Sequence, residues 1–100
     1  MRIRNVIHIE TAKPPVVELD SSALAAYVRF SRNPVASTKV IANDKSVVTI
    51  DLDKKGKVIG VEVVGVKEFN IAGLLKIADI TAPEALLKRA RYVPAQLQAA

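Results

Sequence analysis

A chain of 100 residues with 50% hydrophobic side chains is long enough for one domain with a real core, and too apolar to be disordered as a whole. It contains no cysteine, which excludes disulfides, thiolate metal sites and cysteine nucleophiles. A formal charge of +5 favours an acidic or polyanionic partner without naming one, while an aromatic content of 4% is too low for a base-stacking platform.

The N-terminal "MRIRNVIHIE" carries charge but no continuous apolar run, so no secretory leader is expected. No apolar run approaches the roughly 20 residues of a membrane span, which points to a soluble, cytoplasmic protein. Ile3, Ile7 and Ile9 predict a first strand from Arg2 to Glu10, with His8 on the opposite, solvent-facing side. "TAKPP" ends it, because proline cannot donate to a sheet ladder. "VVEL" reads as a short extended piece and "LDSSA" as a turn. "LAAYVRF" then alternates, with Leu24, Ala26, Val28 and Phe30 inward and Ala25, Tyr27 and Arg29 outward. "ASTKVIA" is a further strand, followed by a turn at "NDKS". "VVTIDL" puts Val48, Ile50 and Leu52 inward, and "KVIGVEVVGV" does the same with Ile59, Val61 and Val63.

The pattern then becomes helical. Asn70 can cap a helix carrying Ile71, Leu74, Leu75 and Ala78. Thr81 and Glu84 have capping-box spacing for a second helix, with Pro83 in its first turn. Leu86, Leu87 and Ala90 line one side of that helix and Lys88, Arg89 and Arg91 the other, until Pro94 stops it and "AQLQAA" follows as a loose tail.

The stretch "DLDKKGKVIGVE" places Asp51, Asp53, Gly56 and Glu62 at the first, third, sixth and twelfth positions of a Ca²⁺ loop. The fifth position is Lys55, a cation where an acceptor is needed, and β-type sequence flanks the stretch on both sides. A hairpin explains more: with Asp53–Gly56 as a four-residue loop, Ile50 faces Ile59, Val48 faces Val61, and the apolar faces coincide. Gly56 supplies the positive φ of such a turn. In that register Glu62 lies opposite Val47, so Asp51 and Glu62 read as a polar sheet face rather than a catalytic carboxylate pair. Gly60, inside a strand, marks a bulge or a close backbone approach, or leaves room for Tyr27 or another large neighbour.

The same stretch resembles the signature of the YuzE-like family of small prokaryotic proteins, a domain of unknown function. Its pattern V-x-V-D-x-D-x-x-G-x-V-V-G-I-E-I is met here by Asp51, Asp53, Gly56, Gly60 and Glu62. Two preceding strands match through Asp20, Ala25, Tyr27, Val28 and Arg29, and through Val35, Ala36 and Thr38, so the resemblance spans about residues 19–64. Leu24 stands where the family usually has an aspartate, and Ala26 where it has leucine. The resemblance implies a small α+β sheet module without an established activity. Some members are encoded beside small toxin-like proteins, which implies antitoxin-like partner binding.

The expected fold is one α+β domain over residues 1–93 with a tail at 94–100. An antiparallel meander sheet of five to six strands carries two short C-terminal helices on one face. A single histidine supports neither a Ser-His-Asp site nor a nitrogen-ligated metal. The expected function is a non-enzymatic protein-interaction module without a cofactor, a homodimer that binds a small protein partner. Its functional surface is Tyr27, Arg29, Thr38, Asp51, Asp53 and Glu62. The alternatives are a small-ligand or metal site at Asp51, Asp53 and Glu62, and a nucleic-acid-associated protein using Lys54, Lys55 and Lys57 at the hairpin tip with Lys88, Arg89 and Arg91.

Overall fold

A computed structural model describes residues 7–9, 13–42, 46–65 and 69–94. The elements are β1 (Ile7–His8), β2 (Val16–Asp20), β3 (Ala25–Arg29), β4 (Ser37–Ala42), β5 (Val47–Leu52), β6 (Val58–Val64), α1 (Ile71–Ile77), β7 (Ile80–Thr81), α2 (Glu84–Lys88) and β8 (Arg91–Pro94). Six strands form one sheet in the order β4-β5-β6-β3-β2-β8. Two antiparallel blocks build it, the β2–β3 hairpin and the β4–β5–β6 meander, joined where β6 pairs antiparallel with β3. The α+β class is as expected; two features depart from a plain meander. β8 runs parallel to β2, and β1 pairs parallel with β7 in a separate two-stranded sheet.

Period-two burial follows from the alternation of side chains across a strand. Val17, Ala26, Val28, Val48, Ile50, Val61 and Val63 are buried on one face. Leu74 and Leu75 of α1, with Ala78 and Ile80 behind them, complete the same core. Burying each leucine is worth about 1.5–3 kcal/mol, which explains why a helix of this length holds its place despite Gly73. The N-terminus of α1 is capped as its sequence predicts: Asn70 Oδ1 accepts from Gly73 N–H at 2.9 Å. Leu87 of α2 packs against the core, and Leu86 is buried beside it. Side chains of both helices thus pack toward the same core.

Leu24, expected on the inward face, lies in the Ser21–Leu24 turn with φ 52° and is 41% exposed. The alternation starts one residue later, because the turn is closed by the Asp20 carboxylate accepting from Ala23 N–H at 3.1 Å. The second helix is shorter than expected. It ends at Lys88, with the uncapped Pro83 at its start, and Thr81 is drawn into β7. Arg91–Pro94 forms a strand, because the edge of β2 offers backbone partners that a last helical turn would leave unused: Arg91 N–H donates to the Pro15 carbonyl at 3.0 Å. Of the first expected strand, Ile7 and His8 are strand residues and the buried Ile9 follows them outside the strand; positions 2–6 and 10 lie outside the described residues, as do 43–45 of the "NDKS" turn and the tail from residue 95.

Candidate functional site

The face of the sheet turned away from α1 carries the polar side chains. Thr38 on β4 is paired with Asp51 on β5, Asp51 with Gly60 on β6, and Gly60 with Arg29 on β3, so four adjacent strands place these residues in one row. Tyr27, two residues before Arg29, leans diagonally across Gly60. A Cβ at Gly60 would lie 2.2 Å from the Tyr27 hydroxyl oxygen and 2.3 Å from its ring, so the absence of a side chain there is what admits the ring. The hydroxyl donates to Asp51 Oδ2 at 2.8 Å, and Thr38 Oγ1 donates to Asp51 Oδ1 at 2.7 Å. Both carboxylate oxygens are thus engaged by hydroxyl donors from strands on either side.

The Arg29 guanidinium stands over the Tyr27 ring, 4.9 Å from its centroid, and reaches Glu18 on β2 at 3.4 Å. Each contact is worth about 1 kcal/mol or less at a part-exposed site. Burial is the main reason the Tyr27 hydroxyl holds its proton well above the ordinary tyrosine range; the hydrogen bond to Asp51 and the charge of that carboxylate add to it. Tyr27 is therefore a fixed donor at neutral pH.

The hairpin forms, but its register differs from the expected one. Ile50 pairs with Val61 and Val48 with Val63, and a shift between Asp51 and Leu52 leaves Ile59 as the extra residue of a bulge. The displacement is two residues, so the apolar faces still coincide, and Glu62 lies opposite Thr49 rather than Val47. Ile59 is buried outside the main core cluster, and its carbonyl accepts from both Phe30 and Ser31 N–H. At the tip, Gly56 has φ 80° and its N–H donates to the Asp53 carbonyl at 2.9 Å. The Asp53 carboxylate is turned into its own loop: Oδ1 accepts from Lys55 and Lys57 N–H at 2.8 and 3.0 Å, and Oδ2 from Asn33 Nδ2 at 3.3 Å. The bond from Lys57 N–H is the chief reason that its carboxyl lies below the usual aspartate range.

Of the expected surface, the sheet brings together Tyr27, Arg29, Thr38 and Asp51, and sets Glu62 opposite Tyr27. Asp53 stands apart as a loop-closing residue. Lys54, Lys55 and Lys57 are exposed at the tip. Lys88, Arg89 and Arg91 do not share a helical face: Lys88 pairs with Glu84 at 3.4 Å on α2, Arg89 follows the helix, and Arg91 begins β8. His8 is exposed as expected, and its Nδ1 is hydrogen-bonded to Thr81 Oγ1. Glu18 and Asn33 were not foreseen as members of the site. The Glu18 contact is a diagonal pair across the β2–β3 hairpin that the "LDSSA" turn allows, while the Asn33 contact depends on the "SRNP" segment reaching the hairpin tip, which leaves no local sequence signal. Among the described residues no three His, Asp or Glu side chains gather as an ion site.

Fold and site together define a small α+β sheet module with a hydroxyl–carboxylate network across its open face. The chain belongs to the family described as "Protein of unknown function (DUF2283)", whose profile matches residues 17–67. That span runs from β2 through the β5–β6 hairpin and contains every residue of the network. No curated protein and no solved structure matches the chain. No helix among the described residues is long and apolar enough to cross a membrane.

Proposed function

We propose that this chain is a non-enzymatic, YuzE-like protein-interaction module that binds a strand of a small protein partner, antitoxin-like in that broad sense. The observation that carries this reading is β4. It lies at one end of the sheet, paired among the described residues with β5 alone, and Ser37 to Val40 are exposed on both faces. Natural sheets blunt such edges with charges, prolines or bulges. β4 holds one charge, Lys39, no proline, and a Val40 that is 62% exposed. The opposite edge, β8, is blunted by Arg91 and Pro94. Strand addition to an open edge supplies main-chain hydrogen bonds for affinity, with alternate side chains for selectivity.

The same edge pairs two copies of the chain when no partner is present, which gives a homodimer. The network behind it supports a binding rather than a chemical role. Asp51 is occupied by Thr38 and Tyr27, and the Tyr27 hydroxyl keeps its proton at neutral pH.

The test compares wild type with Val40→Lys, a change at an exposed position that adds a charge to the edge. Light scattering should give a dimer for wild type and a monomer for the variant. A nuclease-treated pull-down at moderate salt should retain one stoichiometric small protein with wild type and lose it with the variant. A monomeric wild type would refute the dimer. A pull-down yielding this chain alone, or a partner retained equally by the variant, would refute partner binding through β4.

A further inference from the structure

At the end of the sheet away from the Ser21–Leu24 turn, a cleft of about 720 Å³ opens between the start of β2, the segment after β3 and the hairpin tip. Its size falls within the roughly 300–1,000 Å³ of small-molecule sites. Three separate parts of the chain direct cationic residues to it: Lys13 ahead of β2, Arg29 and Arg32 at and after the end of β3, and Lys57 at the tip. Pro14 and Phe30 add apolar wall.

Among the described residues, Asp53 is the one carboxylate lining the cleft, and its oxygens are directed to the loop amides and Asn33. Glu18 meets Arg29 from outside the lining. A concave surface with such an excess of one sign concentrates the field and draws in counter-charge. Arg32 and Lys57, with Arg29 beside them, suit a tetrahedral, multiply charged group better than a single carboxylate, because arginine forks and lysine ammoniums engage several oxygens at once.

The geometry points to a binding site for a phosphate ester of nucleotide size. Arg32 and Lys57, both exposed, clasp the phosphate with Arg29 behind them, and the organic part lies against Phe30 and Pro14. This chemistry has two sources, a free nucleotide or a nucleotide unit of a single strand. The site is independent of the β4 edge, at the other side of the β5–β6 pair.

The experiment is fluorescence titration with N-methylanthraniloyl-ADP, on wild type, Arg32→Gln/Lys57→Gln and Lys88→Gln/Arg89→Gln. Both double variants remove the same charge at exposed positions, and circular dichroism checks their fold. Saturable binding should weaken about tenfold or more in the first variant, the loss expected for even one charge-assisted contact, and change little in the second. Unlabelled ADP should displace the probe and adenosine should not. A single-stranded oligonucleotide that displaces at far lower nucleotide concentration than ADP, with a steep salt dependence, assigns the site to a strand; displacement by ADP at equal or lower concentration assigns it to the free ligand. Binding that does not saturate, equal weakening in both variants, or displacement by adenosine as effective as by ADP would overturn the assignment.

Discussion

Gly60 and Tyr27 act as a fitted pair, and their fit makes a sharp prediction. In Gly60→Ala the new methyl displaces the ring from Asp51 and Arg29, so thermal or urea unfolding should show a loss of about 1–3 kcal/mol. Once the ring is removed by Tyr27→Ala, the sign should reverse. Alanine then fits the space and loses less backbone entropy than glycine, so adding Gly60→Ala should raise stability by about 0.5–1 kcal/mol. A cost that is the same in both backgrounds would mean that the ring is not what requires glycine. Tyr27 also predicts an alkaline effect. Its folded-state proton is held more tightly than in the unfolded chain, so its contribution is complete below about pH 10 and is lost as pH rises above it. Unfolding measured against pH should show this decline in wild type and not in Tyr27→Phe. Asp53 works in the opposite direction. Its lowered pKa contributes stability above about pH 4 that disappears on acidification, so Asp53→Asn should start less stable and flatten the acid limb of the stability–pH profile. At this scale the sequence was informative where a residue type is demanded by its backbone or neighbour. Gly56, Gly60 and Asn70 could all be read in advance. Leu24 could not, because nothing in "SSALAAY" shows where the turn ends and the alternation begins.

Among the elements, the strands were legible through their period of two and α1 through its cap and leucines, since burial on one face imposes both patterns. The register of β5 on β6 was not. A bulge adds a residue without disturbing hydrophobic alternation on either side, so two pairings offset by two residues look alike in sequence. The second helix shows a different limit: "ALLKRARYV" has helical spacing throughout, yet its last third pairs with β2 because a parallel partner is available there. Truncation after Ala90 tests that pairing. It removes the backbone partners of Val16–Leu19 and the edge-on contact of Tyr92 with Phe69, whose ring centroids lie 6.3 Å apart. Hydrogen exchange of the β2 amides should accelerate, with a lower melting temperature, while amides of the central β5–β6 pair remain protected. Unchanged β2 exchange would show that β8 contributes nothing to the sheet.

For the whole molecule, composition bounded the class and the hairpin motif pointed to a small domain of unknown function, within the span that the family profile matches, but the grouping of distant residues came only with the strand order. Lys13, Arg32 and Lys57 share a cleft because β3 lies between β2 and β6, a placement that no local pattern encodes. The parallel pairing of β8 with β2 also has a consequence in time. β2 opens the family-matched segment while β8 lies beyond its C-terminal end, and one flank of the sheet stays open until Arg91–Pro94 has been synthesised. Until then β2 exposes an edge much as β4 does in the finished protein. Non-local contacts of this kind slow folding, so refolding of the isolated chain should take milliseconds to seconds rather than microseconds. For a nascent chain the period of greatest vulnerability to wrong strand pairing at this edge ends only when Arg91–Pro94 can pair with β2.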